Sequence, residues 1–490
     1  MLTIFLIAWP LIAAIIIAVV KQHARTLALA ASLIELVAFM VMVTSFTPDA
    51  SIQFSVDLPW IASAGIRFYV GVDGISLLLV LLTTVLMPLI ILASFTTTKL
   101  KNPSAFYSLI MIMQMALVGV FVALDGFLFY IFWEMALIPI YFICLLWGGD
   151  DRARITLKFF IYTLAGSLLM LIAMVYLYFH TPGIHRFDIQ SLYEAGRALP
   201  SGEQSILFWA FFIAFAIKMP VFPFHTWQPD TYQVAPTTGT VLLSAIMLKM
   251  GIYGLIRWLM PMVPLGVQEW GTTAMVLSVV GVVYASVIAL IQKNNKRLIA
   301  YSSIAHVGLI SAGLFTMSAI GWQGAMIQML SHGLTVFGLF YVIEIIHQRK
   351  ATHAMSDLGG IRSVAPQLST VFLIILLGSI ALPFTSGFVG EFLLINSLVQ
   401  YQILIGAVAG LTTIIGAVYM LRAFQKMMLG ESKEPAAAFF DLSTREKIVL
   451  YPVVVLVILL GVYPTPLLTL SEAAINNLLY TINDYLTLPK

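Results

Sequence analysis

The chain has 490 residues, of which 61% are hydrophobic and 10% are charged, and its formal net charge at pH 7 is +3. Since a soluble domain carries about 25% charged residues, this composition excludes a soluble globular protein and predicts an integral membrane protein with many spans. The single cysteine, Cys144, lies in a hydrophobic run and no Cys/His set has zinc spacing, so we expect no disulfide, iron–sulfur cluster, metal or other cofactor in this chain.

Fourteen apolar runs of about 20 residues predict an all-α polytopic membrane protein with about fourteen transmembrane helices. The first run has no basic leader and its positive charges follow it, so we interpret it as a membrane helix and not as a cleaved signal peptide. In chain order, the predicted spans cover residues 2–20, 27–46, 72–95, 104–124, 127–148, 155–179, 205–228, 239–260, 272–291, 298–316, 321–346, 367–400, 403–428 and 446–468.

Lysine and arginine are distributed unevenly between the loops on the two predicted sides of the membrane. Loops after odd-numbered spans carry 18 of the 25 basic residues, and two more, Lys218 and Lys249, fall inside spans. Because basic loops stay on the inner side, this asymmetry predicts that both termini lie on the outer side. The opposite side, including the C-terminus, carries the remaining five: Arg67, Arg186, Arg197, Arg257 and Lys490.

Two predicted spans contain residues that interrupt a helix. Span seven carries Pro220 and Pro223, and span twelve carries Pro383 and Gly387. Proline removes a helix hydrogen bond, and irregular backbone at membrane depth persists only where protein or water satisfies the freed carbonyls. Because the two breaks are five spans apart, they run through the membrane in opposite directions, which indicates two inverted five-helix repeats with a transport path at each break.

The repeats divide the chain into four predicted segments. Residues 1–103 form N-terminal helices 1–3, and residues 104–260 form the first five-helix repeat, spans 4–8. Residues 261–430 form the second, inverted repeat, spans 9–13, and residues 431–490 form helix 14 with an outer tail. Each repeat is expected to contain one proton half-channel.

Six ionisable side chains lie near the middle of predicted spans, where each charge costs roughly 2.5–3.5 kcal/mol. One such group could be a helix-packing contact, but six at a shared depth indicate a hydrated polar axis. A desolvated lysine can release its proton near neutral pH, a nearby carboxylate favours its charged form, and histidine titrates in the same range. The candidates for proton translocation are Glu134, Lys218, Lys249, His306, His332 and Glu391.

Other polar residues are open to two interpretations. His225 and Asp230 follow the first break and either serve proton uptake from the inner side or fix the loop. Glu35 and Glu344 are interpreted as helix-contact or interfacial residues, and Asp73 as the cap of span three. The breaks lack the aromatic or amide-rich pocket of a solute transporter and the clustered carboxylates of a sodium site.

Five stretches resemble the antiporter-like membrane subunits of respiratory complex I: FYIFWEMALIPIYF, KMPVFPFHTWQPDTYQVAPT, LLSAIMLKMGIYGLIR, YSSIAHVGLI and LPFTSGFVGEF. Of the three paralogous branches, L, M and N, the M-type has glutamate at the broken twelfth span, and Glu391 matches it. The short segment after span fourteen disfavours the L-type, which carries a long lateral helix there. One departure is Phe384, where the family often has glycine, and it is expected to narrow or stiffen the break.

This resemblance implies a proton-translocating subunit of an NADH:quinone oxidoreductase, whose NADH, FMN, iron–sulfur clusters and quinone are bound by partner chains. The six buried ionisable residues match the family's proton channels and connecting axis. The implied partners are L-type and N-type chains on either side, the lateral amphipathic helix of the L-type chain, and lipids, with no nucleic acid. The implied location is a bacterial inner (plasma) membrane, with an organellar membrane also consistent.

Three alternatives remain open at this point. The D-type subunit of a multisubunit Na⁺/H⁺ antiporter resembles the M-type branch closely, and the membrane subunit of an energy-converting hydrogenase is the next candidate. A small-solute secondary transporter belongs to a different class and has the least support, because no solute pocket is evident.

Overall fold

The computed structural model describes residues 1–96, 100–431 and 439–487. Helices up to the first break are α1 (Leu2–Val20), α2 (Ala24–Thr44), α3 (Gly74–Ser94), α4 (Pro103–Val122), α5 (Gly126–Trp147), α6 (Arg152–Phe179), α7 (Ile189–Ala198) and α8 (Ser201–Lys218). Those that follow are α9 (Gln228–Val234), α10 (Thr237–Val241), α11 (Leu248–Gly254), α12 (Met260–Met262), α13 (Pro264–Leu290), α14 (Asn295–Leu314), α15 (Ala319–Lys350), α16 (Ile361–Val364), α17 (Pro366–Ser379), α18 (Ser386–Tyr401), α19 (Ile403–Met428), α20 (Thr444–Val462) and α21 (Thr465–Thr487).

Two π-helical segments, Leu242–Met247 and Leu255–Leu259, join α10, α11 and α12 into one continuous helix, Thr237–Met262. The strands β1 (Gln53–Ile61) and β2 (Ile66–Val72) pair as an antiparallel hairpin. Short 3₁₀ turns occur at Ala62–Ala64 and Met355–Asp357.

The predicted all-α polytopic class is confirmed. Eleven helices of the described chain are long and apolar enough to cross a membrane, and a twelfth is obtained if α20 and α21 count as one bent span. Predicted spans seven and twelve are each interrupted, the first between α8 and α9 and the second between α17 and α18. The count of fourteen stays a prediction that treats each interrupted pair as one span.

The core of the molecule lies around the continuous helix Thr237–Met262, which is wholly buried, and around α14 and α15, which are nearly so. The helices α1, α2, α6 and α19 surround this core and keep many apolar side chains exposed. Such faces suit lipid or neighbouring membrane subunits, whereas the polar side chains collect in the interior.

The first break follows directly from the chemistry of proline. Pro220 has no N–H, so the carbonyl of Ala216 accepts a hydrogen bond of 2.9 Å from the N–H of Val221 instead. The carbonyl of Ile217 then accepts from the indole Nε1 of Trp227 at 2.9 Å. Neighbouring protein groups thus satisfy the carbonyls that the end of α8 exposes, as irregular backbone at membrane depth requires.

The second break lies between Ser379 and Ser386, as the positions of Pro383 and Gly387 predicted. A Cβ atom at Gly387 would lie 2.1 Å from the carbonyl oxygen of Gly378, so this position accepts only glycine. Phe384, which replaces the glycine expected from the resemblance, has φ +70° and a largely exposed side chain. Phe384 thus has a left-handed backbone conformation, which is uncommon for residues other than glycine. The inverted relation of the repeats and the four-segment division stay predictions.

Two elements were missed by segmentation into apolar runs. The β1–β2 hairpin occupies the predicted loop before span three, where short strands leave no long apolar run. The predicted span 446–468 and outer tail were wrong in their bounds, because α20 ends at Val462 and bends by 66° into α21. Pro464 precedes α21, and Ser471, Ile475 and Ile482 of that helix are buried.

Arg257 was counted with the outer side although it lies within predicted span eight, and the structure supplies its partner. Arg257 lies inside the continuous helix Thr237–Met262, is buried, and pairs through Nη2 with Oδ2 of Asp73. Asp73 caps α3 as predicted, because its Oδ1 accepts from the N–H groups of Ile75 and Ser76. The burial of one charge is therefore balanced by the other across two helices.

Candidate functional site

Lys249 contacts His332 directly at the centre of the protein. Lys249 Nζ donates to the carbonyl of Ser244 at 2.9 Å and lies 2.8 Å from His332 Nδ1. Both side chains are buried. Ser244 belongs to the π-helical segment Leu242–Met247, a departure from α-helix that is common at functional sites. Since an ammonium group can only donate, Nδ1 of His332 is the acceptor when Lys249 is charged, and His332 then carries its proton on Nε2.

His306 and Glu391 form a second buried pair next to the first. The His306 and His332 ring centroids are 5.8 Å apart, and His306 Nε2 lies 3.1 Å from Glu391 Oε1. Nε2 also lies 3.0 Å from the carbonyl of Ser379, and Nδ1 lies 2.7 Å from the carbonyl of Ser302. All three partners are acceptors, so both ring nitrogens must carry protons, which makes His306 an imidazolium facing the Glu391 carboxylate.

The second break supplies one of these acceptors. The carbonyl of Ser379 would bond the N–H of residue 383 in a continuous helix, but Pro383 has no N–H. His306 occupies that free carbonyl. Glu391 is held further by Gln328 Nε2 at 3.4 Å and by the Thr413 hydroxyl at 3.2 Å. The broken helix therefore fixes the imidazole as well as exposing backbone.

Glu134 and Lys218 are a separate and looser pair. Lys218 is buried at the end of α8, and its Nζ lies 5.2 Å from the ring centroid of Trp133, the residue before Glu134. Within the described chain, Glu134 and Lys218 form no ion pair of 4.0 Å or less, and Glu134 Oε1 has no hydrogen-bond partner. The aromatic ring gives Lys218 a cation–π contact.

The two candidates for proton uptake behave differently. Asp230 pairs with Arg297 Nη1 at 2.9 Å and with Lys158 Nζ at 3.4 Å, so it ties α9 to α14 and α6. His225 is buried and stacks on Phe222, with ring centroids 5.8 Å apart, and its Nδ1 has no partner among the described residues. The geometry favours the loop-fixing interpretation for Asp230.

The structure thus joins Lys249, His332, His306 and Glu391 in a row and leaves Glu134 and Lys218 apart from it. Glu35 is a helix contact, since its carboxylate accepts from Gln114 Nε2 at 2.5 Å between α2 and α4. Sequence reasoning missed the uncharged partners of the site, which are the Trp133 ring, the carbonyls of Ser244 and Ser379, and the side chains of Gln328 and Thr413. Only the last two carried a signal, as polar side chains inside apolar spans.

Comparison with known proteins identifies the family of the chain. The family described as NADH:quinone oxidoreductase/Mrp antiporter, TM, matches residues 123–416. The chain is 41% identical over 428 residues to NADH-quinone oxidoreductase subunit M of Rickettsia prowazekii (strain Madrid E), covering 87% of this chain and 86% of the relative.

Two solved structures share the fold. A chain of respiratory complex I from Thermus thermophilus with bound NADH superposes with a TM-score of 0.89 at 27% identity, covering 98% of this chain and all of that one. A chain of the Mrp complex from Dietzia sp. DQ12-45-1b superposes with a TM-score of 0.85 at 18% identity, covering 99% of this chain and 56% of that one. With the sequence matches, these show that the chain belongs to the NADH:quinone oxidoreductase/Mrp antiporter transmembrane family.

Proposed function

We propose that this chain is the M-type proton-translocating membrane subunit of an NADH:quinone oxidoreductase. The observation that carries the proposal is the buried row in which Lys249 contacts His332 and His306 contacts Glu391. Buried ionisable groups in a membrane protein are energetically costly. They are therefore rare, pair with one another, and mark ion or proton pathways. Here two contacts, Lys249–His332 at 2.8 Å and His306–Glu391 at 3.1 Å, are short enough for proton transfer, and the two imidazole rings between them have centroids 5.8 Å apart.

The row can pass a proton from Lys249 towards Glu391. Lys249 gives a proton from Nζ to His332 Nδ1 and keeps its bond to the Ser244 carbonyl as a neutral amine. His306 gives its Nε2 proton to Glu391, and its vacated Nε2 takes the Nε2 proton of His332, which has gained one at Nδ1. Release of the proton from Glu391 past Thr413, a half-buried residue of α19, restores the carboxylate that faces His306.

Glu134 and Lys218 act as a charge switch separate from this row. When Glu134 is charged, its attraction favours the ammonium form of Lys218, and loss of that attraction favours release of the proton from a desolvated lysine. The chain takes part in the activity of this translocase as its proton-translocating subunit. Flavin, iron–sulfur and quinone chemistry belong to partner chains and change the charge state along the membrane axis from a distance.

The proposed assembly places L-type and N-type chains on either side, with lipids and the lateral helix of the L-type chain against exposed apolar faces. In a bacterial inner membrane, the basic loops would face the cytoplasm and both termini the outer side.

The test is purification from native membranes, followed by measurement of NADH:quinone turnover and of NADH-driven proton uptake in inverted vesicles. Copurification with quinone-reductase subunits, and loss of proton uptake in Lys249→Ala, are expected. Copurification with antiporter subunits alone, and no NADH oxidation, would overturn the proposal in favour of an Mrp-type antiporter.

A further inference from the structure

A cavity of about 740 Å³, lined by both polar and apolar residues, lies between the ends of several helices on the predicted inner side. Its wall includes the C-terminal ends of α3, α5 and α15 and the beginnings of α10 and α14. The mouth is formed by charged residues near the surface, and the deeper wall by side chains from the buried core. The cavity is separate from both helix breaks and from the row of Lys249, His332, His306 and Glu391.

Charges of both signs face this cavity. Glu344 accepts hydrogen bonds from the hydroxyl of Thr237 and, at 2.8 Å, from Gln348 Nε2. Lys296 is buried and donates to the carbonyl of Ala235 at 3.1 Å. The charged and titratable residues of the wall besides Glu344 are Lys101, Asp150, Arg152, Lys296, His347 and His353.

Three polar atoms of the wall have no hydrogen-bond partner among the described residues: Tyr341 Oη, His347 Nδ1 and His353 Nδ1. Tyr341 is 2% exposed, and the two imidazole rings stack with centroids 4.0 Å apart. Buried polar groups are nearly always hydrogen-bonded to protein or water. A cavity of this size has room for water beside these groups.

The end of the cavity that lies deepest in the protein approaches the buried row. Val241 and Phe337 line it. Ser244, whose carbonyl binds Lys249, lies three residues after Val241, and His332 lies five residues before Phe337. At a rise of about 1.5 Å per residue, these positions are only about 5–8 Å further along their helices. The cavity therefore covers most of the distance between the inner surface and the Lys249–His332 contact.

We infer that this cavity is the proton-uptake vestibule of Lys249 and His332, with Glu344 as its proton-attracting group. The inference rests on the proposed function and names the route by which protons reach that row. Asp230, the uptake candidate at the first break, is already paired with two cations. An anionic lipid headgroup suits the cavity less well, because it would face the carboxylates of Glu344 and Asp150.

A thiol-labelling experiment tests the route in the whole complex. In a Cys144→Ser parent, Thr238→Cys places a thiol on the cavity wall, and Ser363→Cys places one on the exposed inner surface away from it. Inverted vesicles expose the inner side to a membrane-impermeant cationic methanethiosulfonate. We expect the reagent to lower NADH-driven proton uptake several-fold in Thr238→Cys. Proton uptake of the parent and of Ser363→Cys should not change. Dithiothreitol should restore proton uptake in labelled Thr238→Cys.

A second variant, Glu344→Gln, keeps an acceptor for Thr237 and removes the charge. It should slow proton uptake without changing the assembled complex on a native gel. If labelled Thr238→Cys and Glu344→Gln both pump at the parent rate while Lys249→Ala does not, the vestibule is refuted and the proposed function stands. If Lys249→Ala also pumps normally, the proposed function itself fails. If excess anionic phospholipid prevents the loss of proton uptake on labelling Thr238→Cys, the cavity is a lipid-headgroup site and the vestibule is refuted.

Discussion

His306 Nε2 lies 3.1 Å from Glu391 Oε1, while the opposite ring nitrogen faces the carbonyl of Ser302 at 2.7 Å. The imidazole is therefore fixed between a carboxylate that can take its proton and a carbonyl that cannot. Because each residue works through the other, removing either one should have the same effect as removing both.

The first prediction is a non-additive pair. Glu391→Gln, His306→Gln and the double variant should each lower coupled proton uptake by roughly ten-fold, which corresponds to about 1.4 kcal/mol of barrier. Rates are measured in inverted vesicles, with a native gel to confirm assembly. If the losses of the single variants multiply in the double variant, the two residues act independently and the pair is not a proton-transfer unit.

The second prediction separates proton release from charge at Lys249. Arginine keeps a positive charge and can still donate to the Ser244 carbonyl and His332 Nδ1, but it does not release a proton in proteins. Lys249→Arg should therefore be as slow in proton uptake as Lys249→Ala. Wild-type pumping in the arginine variant would mean that a fixed charge is sufficient at this position.

The third prediction concerns Glu134, which acts on Lys218 through charge and not through a direct contact. Glu134→Gln removes the charge that favours the ammonium form of Lys218 and should abolish most NADH:quinone turnover and proton uptake. Glu134→Asp keeps the charge and should retain a substantial part of both. Equal activity in Gln and wild type would reduce Glu134 to a helix-packing role.

The fourth prediction is a pH dependence of stability at His353, which lies in the loop after α15. Burial, followed by the charges of Lys296 and His347, lowers the pKa of His353 to about 3. An unfolded histidine titrates near about 6.5, so between these values the unfolded chain binds a proton that the folded chain does not. Stability from His353 is therefore present above about pH 6.5 and is lost as the pH falls below it.

Replacing His353 by glutamine removes this linkage and keeps a polar side chain. The thermal midpoint of the purified complex should fall less between about pH 7 and about pH 5 in His353→Gln than in wild type. Parallel curves for the two proteins would show that His353 does not gain a proton on unfolding.

Sequence reasoning located the buried charges because an ionisable residue inside a long apolar run is conspicuous. It could not assign partners, since Lys249 meets a histidine 83 residues away and Glu134 stops short of an ion pair. One contact was accessible in principle. A proline at 383 leaves the carbonyl of Ser379 without its helical donor, and a buried histidine is a suitable replacement.

The fold was predictable where long apolar runs mark helices. The prediction failed where other sequence patterns determine the secondary structure. The β1–β2 hairpin and α21 fall outside such runs, since strands alternate and α21 follows Pro464 at a bend. Arg257 was counted with the outer side without a partner, because the sequence does not show which buried charge it meets. The capping carboxylate of Asp73 is that partner, and only the packing of α3 against the buried helix reveals it.

The last prediction concerns this ion pair. Arg257→Met leaves Asp73 as an unpaired buried charge, and breaking a buried pair in this way costs about 3–5 kcal/mol. We expect the variant to be depleted from the assembled complex. Asp73→Asn with Arg257→Met removes both charges while asparagine still caps α3, so assembly should recover in part. Quantitative native gels measure this, with Arg67→Met as a control in an exposed ion pair. If the double variant assembles no better than Arg257→Met, the arginine matters for packing and not for the charge of Asp73.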